Sequence, residues 1–310
     1  MNMDERYYSF PAYLQKRYGK KIYKLPVGLP LTCPNRDGTC GTGGCTFCGE
    51  IGATYEGADA QKTVLQQLLE GKERLGSKHK AAGFIAYFQS FTNTYLPLTE
   101  FDQHLQEAAS LEGLAAIYIA TRPDCVTNKY LQVMADVAHQ HQIDICVELG
   151  LQSVNYHTLD SINRGHGLAA FIDAVQRIKA HQLLCCAHLI LNLPTDTDRD
   201  AIEAAQILSA LQVDQVKLHA LFIPKDTIMG KAYQAGKIQL IGRDEYQKRV
   251  ILFLRHLSPN IVIQRMVGRA SDPTKLLFVN WGMSWQDIHA GILRRLEDWD
   301  VQQGDMAIFQ

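Results

Sequence analysis

The chain lacks the features that mark a membrane or secreted protein. No apolar run approaches the ~20 residues that a membrane-spanning helix needs, and residues 1–19 show no basic stretch followed by an apolar one. An excess of one charge is also lacking, because 31 Lys and Arg stand against 32 Asp and Glu. That balance gives the protein as a whole no electrostatic attraction to nucleic acid or to an anionic membrane. The sequence therefore predicts a cytoplasmic protein without membrane contact.

Low-complexity segments, internal repeats and a clear linker are absent as well. With 310 residues, 46% of them hydrophobic, the chain can form one large domain or two smaller ones. Because cytoplasmic thiols stay reduced, the eight cysteines are expected to be ligands, core residues or redox groups. Cys146, Cys185 and Cys186 fall in apolar, strand-like runs, so we expect them to be small core residues.

Short apolar runs alternate with longer amphipathic stretches over most of the chain. This alternation predicts a parallel sheet covered by helices, either an open sheet or most of a barrel. In both architectures the active site forms at the carboxyl ends of the strands. The predicted strands are 24–31, 83–88, 115–120, 143–149, 185–191 and 213–221, and the predicted helices lie near 60–76, 98–110, 127–141, 168–182 and 198–210.

The alternation changes beyond about residue 225. Two predicted helices, near 243–257 and 284–297, flank the run IVIQRM and indicate an accessory C-terminal segment. We therefore predict a core domain over 1–225, whose residues 1–23 are an N-terminal extension, and an accessory segment over 226–310.

Four cysteines lie within sixteen residues directly after the first predicted strand: Cys33, Cys40, Cys45 and Cys48. The glycines between them allow the backbone to wrap closely around a bound group. Several thiolates in one glycine-rich loop predict a soft-metal site, either an iron–sulfur cluster or zinc. A zinc ribbon would more often carry two widely spaced Cys-x-x-Cys pairs, whereas this chain has one. No other cysteine group has spacing suited to a second cluster.

Longer motifs extend this pattern. The loop ends in Cys-x-aromatic-Cys and is followed by FQSFTNTY, ATRPDC, ELGLQS, INRGH, HLILNLP and VKLHALFI. Together these motifs resemble the radical S-adenosylmethionine (SAM) superfamily. They more narrowly resemble an Elp3-like bacterial branch, the YhcC/YtqA family, over about residues 5–285.

The resemblance implies an α/β fold, a partial (β/α)6 TIM-like barrel of the radical SAM type with a C-terminal accessory segment. It also implies a [4Fe–4S] cluster with one iron open to SAM. A reductant such as flavodoxin or ferredoxin would supply an electron that cleaves SAM. The 5′-deoxyadenosyl radical so formed would abstract hydrogen from a substrate.

The resemblance also assigns the metal ligands. The family branch carries its first ligand at the cysteine of CPNRDGT, which makes Cys33, Cys45 and Cys48 the expected set. The superfamily usually has three residues between its first two ligands, but this chain has eleven when counted from Cys33 and four from Cys40. Cys40 is expected to be a spare neighbouring thiol, and a set that starts at Cys40 is the alternative.

Further cofactor contacts are implied at the strand ends. Phe47 is expected to lie against the adenine, with simple packing as the alternative. Gln89 and Ser90 are expected near the methionine amino group. Glu148 resembles a ribose contact, with Gln152 close behind, although a buried carboxylate can instead be part of an ion pair.

Other polar residues carry weaker signals. Arg122 and Arg164 can hold a carboxylate or phosphate by bidentate contacts, or form structural ion pairs. Asn192 is expected at the cofactor, but related sequences have GLPGE where this chain has NLPTD. That difference weakens the expectation of an adenine contact there. His188 and His219 fall on inward-facing strands, although a lone histidine is more often structural than catalytic.

The substrate is the least determined feature. The run QKRYGKKIYK, residues 15–24, places basic residues among tyrosines. This pattern suits phosphate contacts and base stacking, and a solvated amphipathic face is the alternative. The Elp3-like resemblance favours tRNA, at a wobble uridine side chain, with a small molecule as the other substrate class. A zinc or iron–sulfur nucleic-acid-binding module without catalysis and an electron-transfer protein are the other hypotheses.

Overall fold

The computed structural model describes residues 6–49, 59–75, 83–270 and 272–309. Seven strands form one sheet, curled into a half-barrel, and every neighbouring pair in it is parallel. Their carboxyl ends therefore meet at one edge. In sheet order the strands are β1 (Ile22–Val27), β2 (Gly83–Phe88), β3 (Leu114–Thr121), β4 (Asp144–Gln152), β5 (Leu184–Ile190), β6 (Gln215–His219) and β8 (Val262–Arg265), while β7 (Ile223–Pro224) and β9 (Leu276–Phe278) form a separate antiparallel pair.

Most helices pack on the outer face of the sheet and share one large apolar core with it. Helix α1 instead lies against the inner face. Its Phe10 and Leu14 pack in a smaller cluster with Tyr87, Tyr118 and Cys186. The helices are α1 (Phe10–Tyr18), α2 (Val64–Leu75), α3 (Leu98–Ala109), α4 (Asn128–His141), α5 (Tyr156–Ser161), α6 (Leu168–Ala180), α7 (Asp198–Ala210), α8 (Ile228–Gln234), α9 (Arg243–His256) and α10 (Trp285–Asp298).

The parallel α/β half-barrel confirms the predicted fold class. The first strand differs from its prediction, because it starts at Ile22 and ends at Val27 rather than covering 24–31. The Gln67 side chain accepts from the Gly28 N–H and donates to the Gly28 carbonyl, both at 2.9 Å. These two bonds satisfy the backbone groups of Gly28 outside the ladder. Pro30, which has no N–H, follows two residues later.

The run IVIQRM contributes a seventh strand to the sheet. Its residues Val262–Arg265 form β8, which pairs in parallel with β6. Residues beyond 225 therefore complete the half-barrel as well as covering it. The domain boundary at 225 stays a prediction.

Cys146, Cys185 and Cys186 are fully buried, which confirms their predicted place in the core. Cys185 faces the outer helices, whereas Cys146 and Cys186 face the inside of the half-barrel. No helix within the described ranges combines the length and the apolar character that crossing a membrane requires.

Candidate functional site

A cavity of about 900 Å³ lies inside the half-barrel and reaches the carboxyl edge of the sheet. Nearly all the predicted site residues line it. Cys40 and Asn192 do not. The predicted residues in the lining are Cys33, Cys45, Phe47, Cys48, Gln89, Ser90, Arg122, Glu148, Gln152 and Arg164.

The cysteine loop folds through tight turns. The Arg36 N–H donates to the Cys33 carbonyl at 2.8 Å, and the Cys48 N–H donates to the Cys45 carbonyl at 2.9 Å. Cys45 is buried, Cys33 and Cys48 are half-buried, and Cys40 is exposed. Burial, together with the nearby Cys45, raises the pKa of the Cys48 thiol to about 11. Metal binding at this loop therefore releases a proton from Cys48.

Two asparagines fasten the loop to the connection between β4 and α6. Asn35 donates from Nδ2 to the Asn163 carbonyl at 2.6 Å and lies 3.8 Å from the Cys45 sulfur. Asn163 donates in return to the Gly44 carbonyl at 2.7 Å. The loop is thus held against a rigid part of the barrel, as a preorganised metal site requires.

Two buried arginines point at the cysteine sulfurs. Arg164 donates from Nη1 to the Cys45 sulfur at 3.5 Å, and its other nitrogens donate to the Gly150 carbonyl. Arg122 approaches the Cys33 sulfur at 3.9 Å and is paired with Asp124 at 2.7 Å. The ion-pair alternative for Arg122 is therefore present, and its contact with a bound carboxylate or phosphate stays a prediction. Arg164 has no carboxylate partner among the described residues, so its positive charge is directed at the cysteine loop.

The end of β2 carries strain and unpaired polar atoms. Ser90 and Phe91 have φ values of 70° and 55°, and Gln152 at the end of β4 has 76°, a region that non-glycine residues seldom occupy. Within the described chain, Gln89 Nε2 and Thr92 Oγ1 are buried without a hydrogen-bond partner. Such atoms are costly unless something satisfies them. Three soft thiols beside unsatisfied polar groups fit an iron–sulfur cluster with a polar ligand bound next to it.

Glu148 lies at the centre of a buried polar network. Its carboxylate accepts from Lys217 Nζ at 2.5 Å and Gln264 Nε2 at 3.0 Å, contacts His188 Nε2 at 2.9 Å, and lies 3.5 Å from Lys24 Nζ. The ion-pair alternative is therefore realised. The ribose contact stays a prediction, and a ribose hydroxyl there would have to compete with four existing partners.

The charges of this network shift its pKa values. Burial favours the neutral acid, but the charges of Lys217 and Lys24, with the hydrogen bond from His188, outweigh it and hold the pKa of Glu148 well below its usual range. Burial, followed by repulsion from Lys217, lowers the pKa of Lys24 to about 8 and that of His188 to about 4. Burial and Arg265 lower the pKa of His219 well below its usual value. Both histidines are therefore neutral at pH 7.

Asn192 lies outside the cavity lining. Its Oδ1 accepts from the Leu221 N–H at 2.6 Å, so it ties the end of β5 to the end of β6. Its prediction as a cofactor contact gains no support from this position. Phe47 lines the cavity and also packs against a small apolar cluster that contains Leu159 and Leu193. Packing and a ligand contact are thus compatible for Phe47.

The cavity is strongly cationic, although the chain as a whole is nearly neutral. Among the described residues, two acidic side chains line it, Glu148 and Asp272. The described lysines and arginines in its lining number nine: Lys20, Lys21, Lys24, Arg36, Arg122, Arg164, Lys217, Arg265 and Arg269.

The basic N-terminal run is divided between different surroundings. Arg17 and Tyr18 bind Asp144 at the start of β4, both at 2.7 Å. Lys24 points inward, within 4.7 Å of the ring centres of Tyr87 and Tyr118. The run is therefore not one continuous surface for stacking bases, and Lys20 and Lys21 are its two basic residues that are both exposed and part of the cavity lining.

Sequence reasoning did not select Lys217, Gln264 and Arg265 as site residues. A lysine within the apolar strand VDQVKLHAL was an available signal, since a buried ammonium needs a partner. Gln264 and Arg265 were missed because their strand was assigned to the accessory segment.

Two family models match the chain. The model of the radical SAM superfamily matches residues 37–208, and that of the radical SAM C-terminal domain matches residues 213–298. Among curated proteins, the uncharacterized protein YtqA of Bacillus subtilis is 32% identical over 98% of this chain and 93% of its own length. Protein YhcC of Escherichia coli K12 is 33% identical over 86% of this chain and 85% of its own.

More distant matches cover less sequence or share only the fold. A tRNA uridine(34) acetyltransferase of Methanocaldococcus infernus is 25% identical over 56% of this chain and 33% of its own length. The solved structure of Elp3 from the same archaeon superposes with a TM-score of 0.70 at 15% identity, over 92% of this chain and 64% of that one.

Proposed function

The chain belongs to the radical SAM superfamily, and from that premise we propose that it modifies tRNA. As a member of the superfamily it is an enzyme that uses a [4Fe–4S] cluster and SAM. The reaction and the substrate are the proposed part. The observation that carries the proposal is the cationic cavity beside the cysteine loop, because basic side chains gathered at one site of a nearly neutral protein favour a polyanionic ligand there.

Cys33, Cys45 and Cys48 would hold the cluster, since these three thiols face the cavity while Cys40 is exposed. Gln89 and Thr92 would receive polar groups of SAM, which their unpaired side-chain atoms are placed to bind. When bound, the cluster would supply the one electron that cleaves SAM into methionine and a 5′-deoxyadenosyl radical able to abstract a hydrogen atom from the substrate. Helix α1 packs on the inner face of the half-barrel, and its Phe10 and Leu14 form part of the cavity wall.

Two observations favour tRNA over a small molecule. Lys20 and Lys21 extend the basic lining of the cavity to exposed positions, where phosphates of a large polyanion can reach them. The match to a protein named tRNA uridine(34) acetyltransferase covers part of the barrel and points to the same substrate class. A wobble uridine side chain is the proposed target.

A one-electron donor such as flavodoxin or ferredoxin is the proposed reductant, because cleavage of SAM consumes an electron that this chain cannot generate. The cytoplasmic location predicted from the sequence is the compartment in which such a donor and tRNA would both be present.

The experiment begins with the protein reconstituted anaerobically with ferrous ion and sulfide. Formation of 5′-deoxyadenosine after dithionite reduction tests SAM cleavage. Nucleosides of tRNA from cells with and without the protein are then compared by mass spectrometry. A nucleoside that disappears in the deletion strain, and returns with the wild-type gene but not with a Cys45→Ala gene, supports tRNA as the substrate. Identical nucleosides in both strains, with SAM cleavage intact, would refute it.

A further inference from the structure

Among the described residues, the floor of the cavity holds more cationic side chains than carboxylates to balance them. His188, Lys217 and Arg265 occupy directly paired positions on the neighbouring strands β5, β6 and β8. His219 lies two residues after Lys217, and Arg265 Nη2 contacts its ring nitrogens at 2.8 and 2.9 Å. All four residues line the cavity.

The charges can be counted from the contacts. Lys24, Lys217 and Arg265 bring three cations to this region, and within the described ranges Glu148 is the carboxylate that pairs with them. Two positive charges are left over. Lys217 is buried, and Lys24 and Arg265 are half-buried. Unbalanced charge is unfavourable in such surroundings, so an excess of this kind calls for a bound anion.

The neutral histidines are consistent with this excess. After burial, the cations Lys217 and Arg265 are the main causes that lower the pKa values of His188 and His219. A neutral imidazole has a single N–H to donate. That of His188 goes to the Glu148 carboxylate, which can only accept, whereas His219 accepts from Arg265 at one ring nitrogen and keeps its N–H on the other. Arg265 Nε is also buried without a partner, so this guanidinium retains an unused donor.

We propose that Lys217, His219 and Arg265 form a subsite for an anionic group of the substrate, a carboxylate or a phosphate, with His188 beside it held by Glu148. This inference rests on the proposed function, because it assigns the part of the cavity that would hold the substrate beneath SAM. Glu148 orients Lys217 and limits the net charge of the subsite. Because several hydrogen-bond donors converge in the subsite, it should bind carboxylate or phosphate oxygens in preference to neutral groups.

The test measures anion binding and does not depend on turnover. The cluster-loaded protein, saturated with SAM so that the SAM carboxylate is already bound, is titrated by calorimetry with inorganic phosphate and separately with acetate. Saturable binding of at least one of them at one site per chain is expected, and the tighter of the two identifies the anionic group. Binding of neither anion would overturn the proposal.

Variants locate the site. Arg265→Gln is expected to weaken binding by about tenfold or more, since hydrogen bonds to charged groups are worth about 1.5–3 kcal/mol and 1.4 kcal/mol is tenfold. Arg265→Lys should keep affinity within about threefold of the wild type, because a cation is retained. The matched control is Lys16→Gln, which removes an exposed cation outside the cavity lining and should change nothing. Equal weakening by Lys16→Gln and Arg265→Gln would place the anion elsewhere.

Glu148→Gln tests the subsite in the opposite direction, because this variant should bind the anion more tightly. It removes the negative charge beside Lys217 and should tighten anion binding by about tenfold. Weaker or unchanged binding in a variant that still folds would contradict the subsite. Failure of SAM cleavage or of the tRNA comparison would instead count against the proposed function, so the two can fail separately.

Discussion

The ammonium of Lys24 on β1, the first strand of the sheet, donates to the side-chain oxygen of Gln264 on β8, the last strand of the sheet, at 2.7 Å. These two strands are the open edges of the half-barrel, and they do not pair with each other. Gln264 also donates to Glu148 and to Gln215. The bond therefore links the two edges to the polar network inside, and α1 packs against the same inner face.

The choice of cluster ligands gives the first prediction. Cys33→Ala should lose nearly all iron and the brown chromophore after anaerobic reconstitution, because it removes one of the three thiols that face the cavity. Cys40→Ala should bind as much iron as the wild type, since this thiol is exposed and lies outside the lining. Iron analysis and absorbance spectra of both variants check this. Loss of iron in Cys40→Ala but not in Cys33→Ala would instead identify Cys40 as the first ligand.

The Arg164 guanidinium predicts a shift in reduction potential. A cation 3.5 Å from the Cys45 sulfur stabilises the more negative, reduced cluster. Arg164→Met should therefore lower the midpoint potential by about 60 mV, the equivalent of a tenfold change for a one-electron couple. Redox titration followed by electron paramagnetic resonance, without SAM, measures it.

The matched control removes a cation together with its carboxylate. In Arg122→Met/Asp124→Leu the net charge near Cys33 stays the same, so the potential should move less than in Arg164→Met. A larger shift in the double variant would mean that packing rather than charge sets the potential.

The buried His188 predicts a pH-dependent loss of stability. Its pKa is about 4 in the folded protein and about 6.5 when unfolded, so between these values the unfolded chain binds the proton and the folded one does not. Stability is therefore present above pH 6.5 and is lost as the pH falls toward 4. From pH 7 to pH 5 this group should cost about 2 kcal/mol.

Urea unfolding of the cluster-free protein at the two pH values measures this effect. His188→Asn should reduce the difference in unfolding free energy by about 2 kcal/mol. His139→Asn, at an exposed position on α4, serves as the control and should leave the difference unchanged. If both variants behave like the wild type, His188 does not carry the effect.

Two nearby glycines, Gly165 and Gly167, give a matched pair of variants that test how the connection between α5 and α6 supports Cys45. Gly165 has φ +76°, and an added Cβ would lie 2.5 Å from Asn35 Oδ1. Gly165→Ala should cost about 1–2 kcal/mol from backbone strain alone and should lower iron content, because Asn35 must move. Gly167→Ala meets nothing within 4 Å and should affect neither quantity. Equal iron content in both variants would show that Asn35 does not position the loop.

The local pattern of apolar and polar residues predicted much of the fold, because each strand is an apolar run and each outer helix has one apolar face. It placed β2 at its observed bounds, Gly83–Phe88. It misjudged the first strand, whose end depends on Gln67, a residue 39 positions from Gly28. It also separated β8 from the sheet, since a four-residue strand after a long insertion has no local signal for its parallel partner.

By itself, the sequence determined the chemistry of the loop and the family, because cysteine spacing and long motifs are one-dimensional properties. The tertiary structure decided which groups share one space. Arg164 lies beside Cys45. Lys217, His188 and Arg265 lie at paired positions on neighbouring strands, because parallel strands align residues that are far apart along the chain. The net charge of the cavity depends on which side chains neighbouring strands bring close together, and no short stretch of sequence shows that.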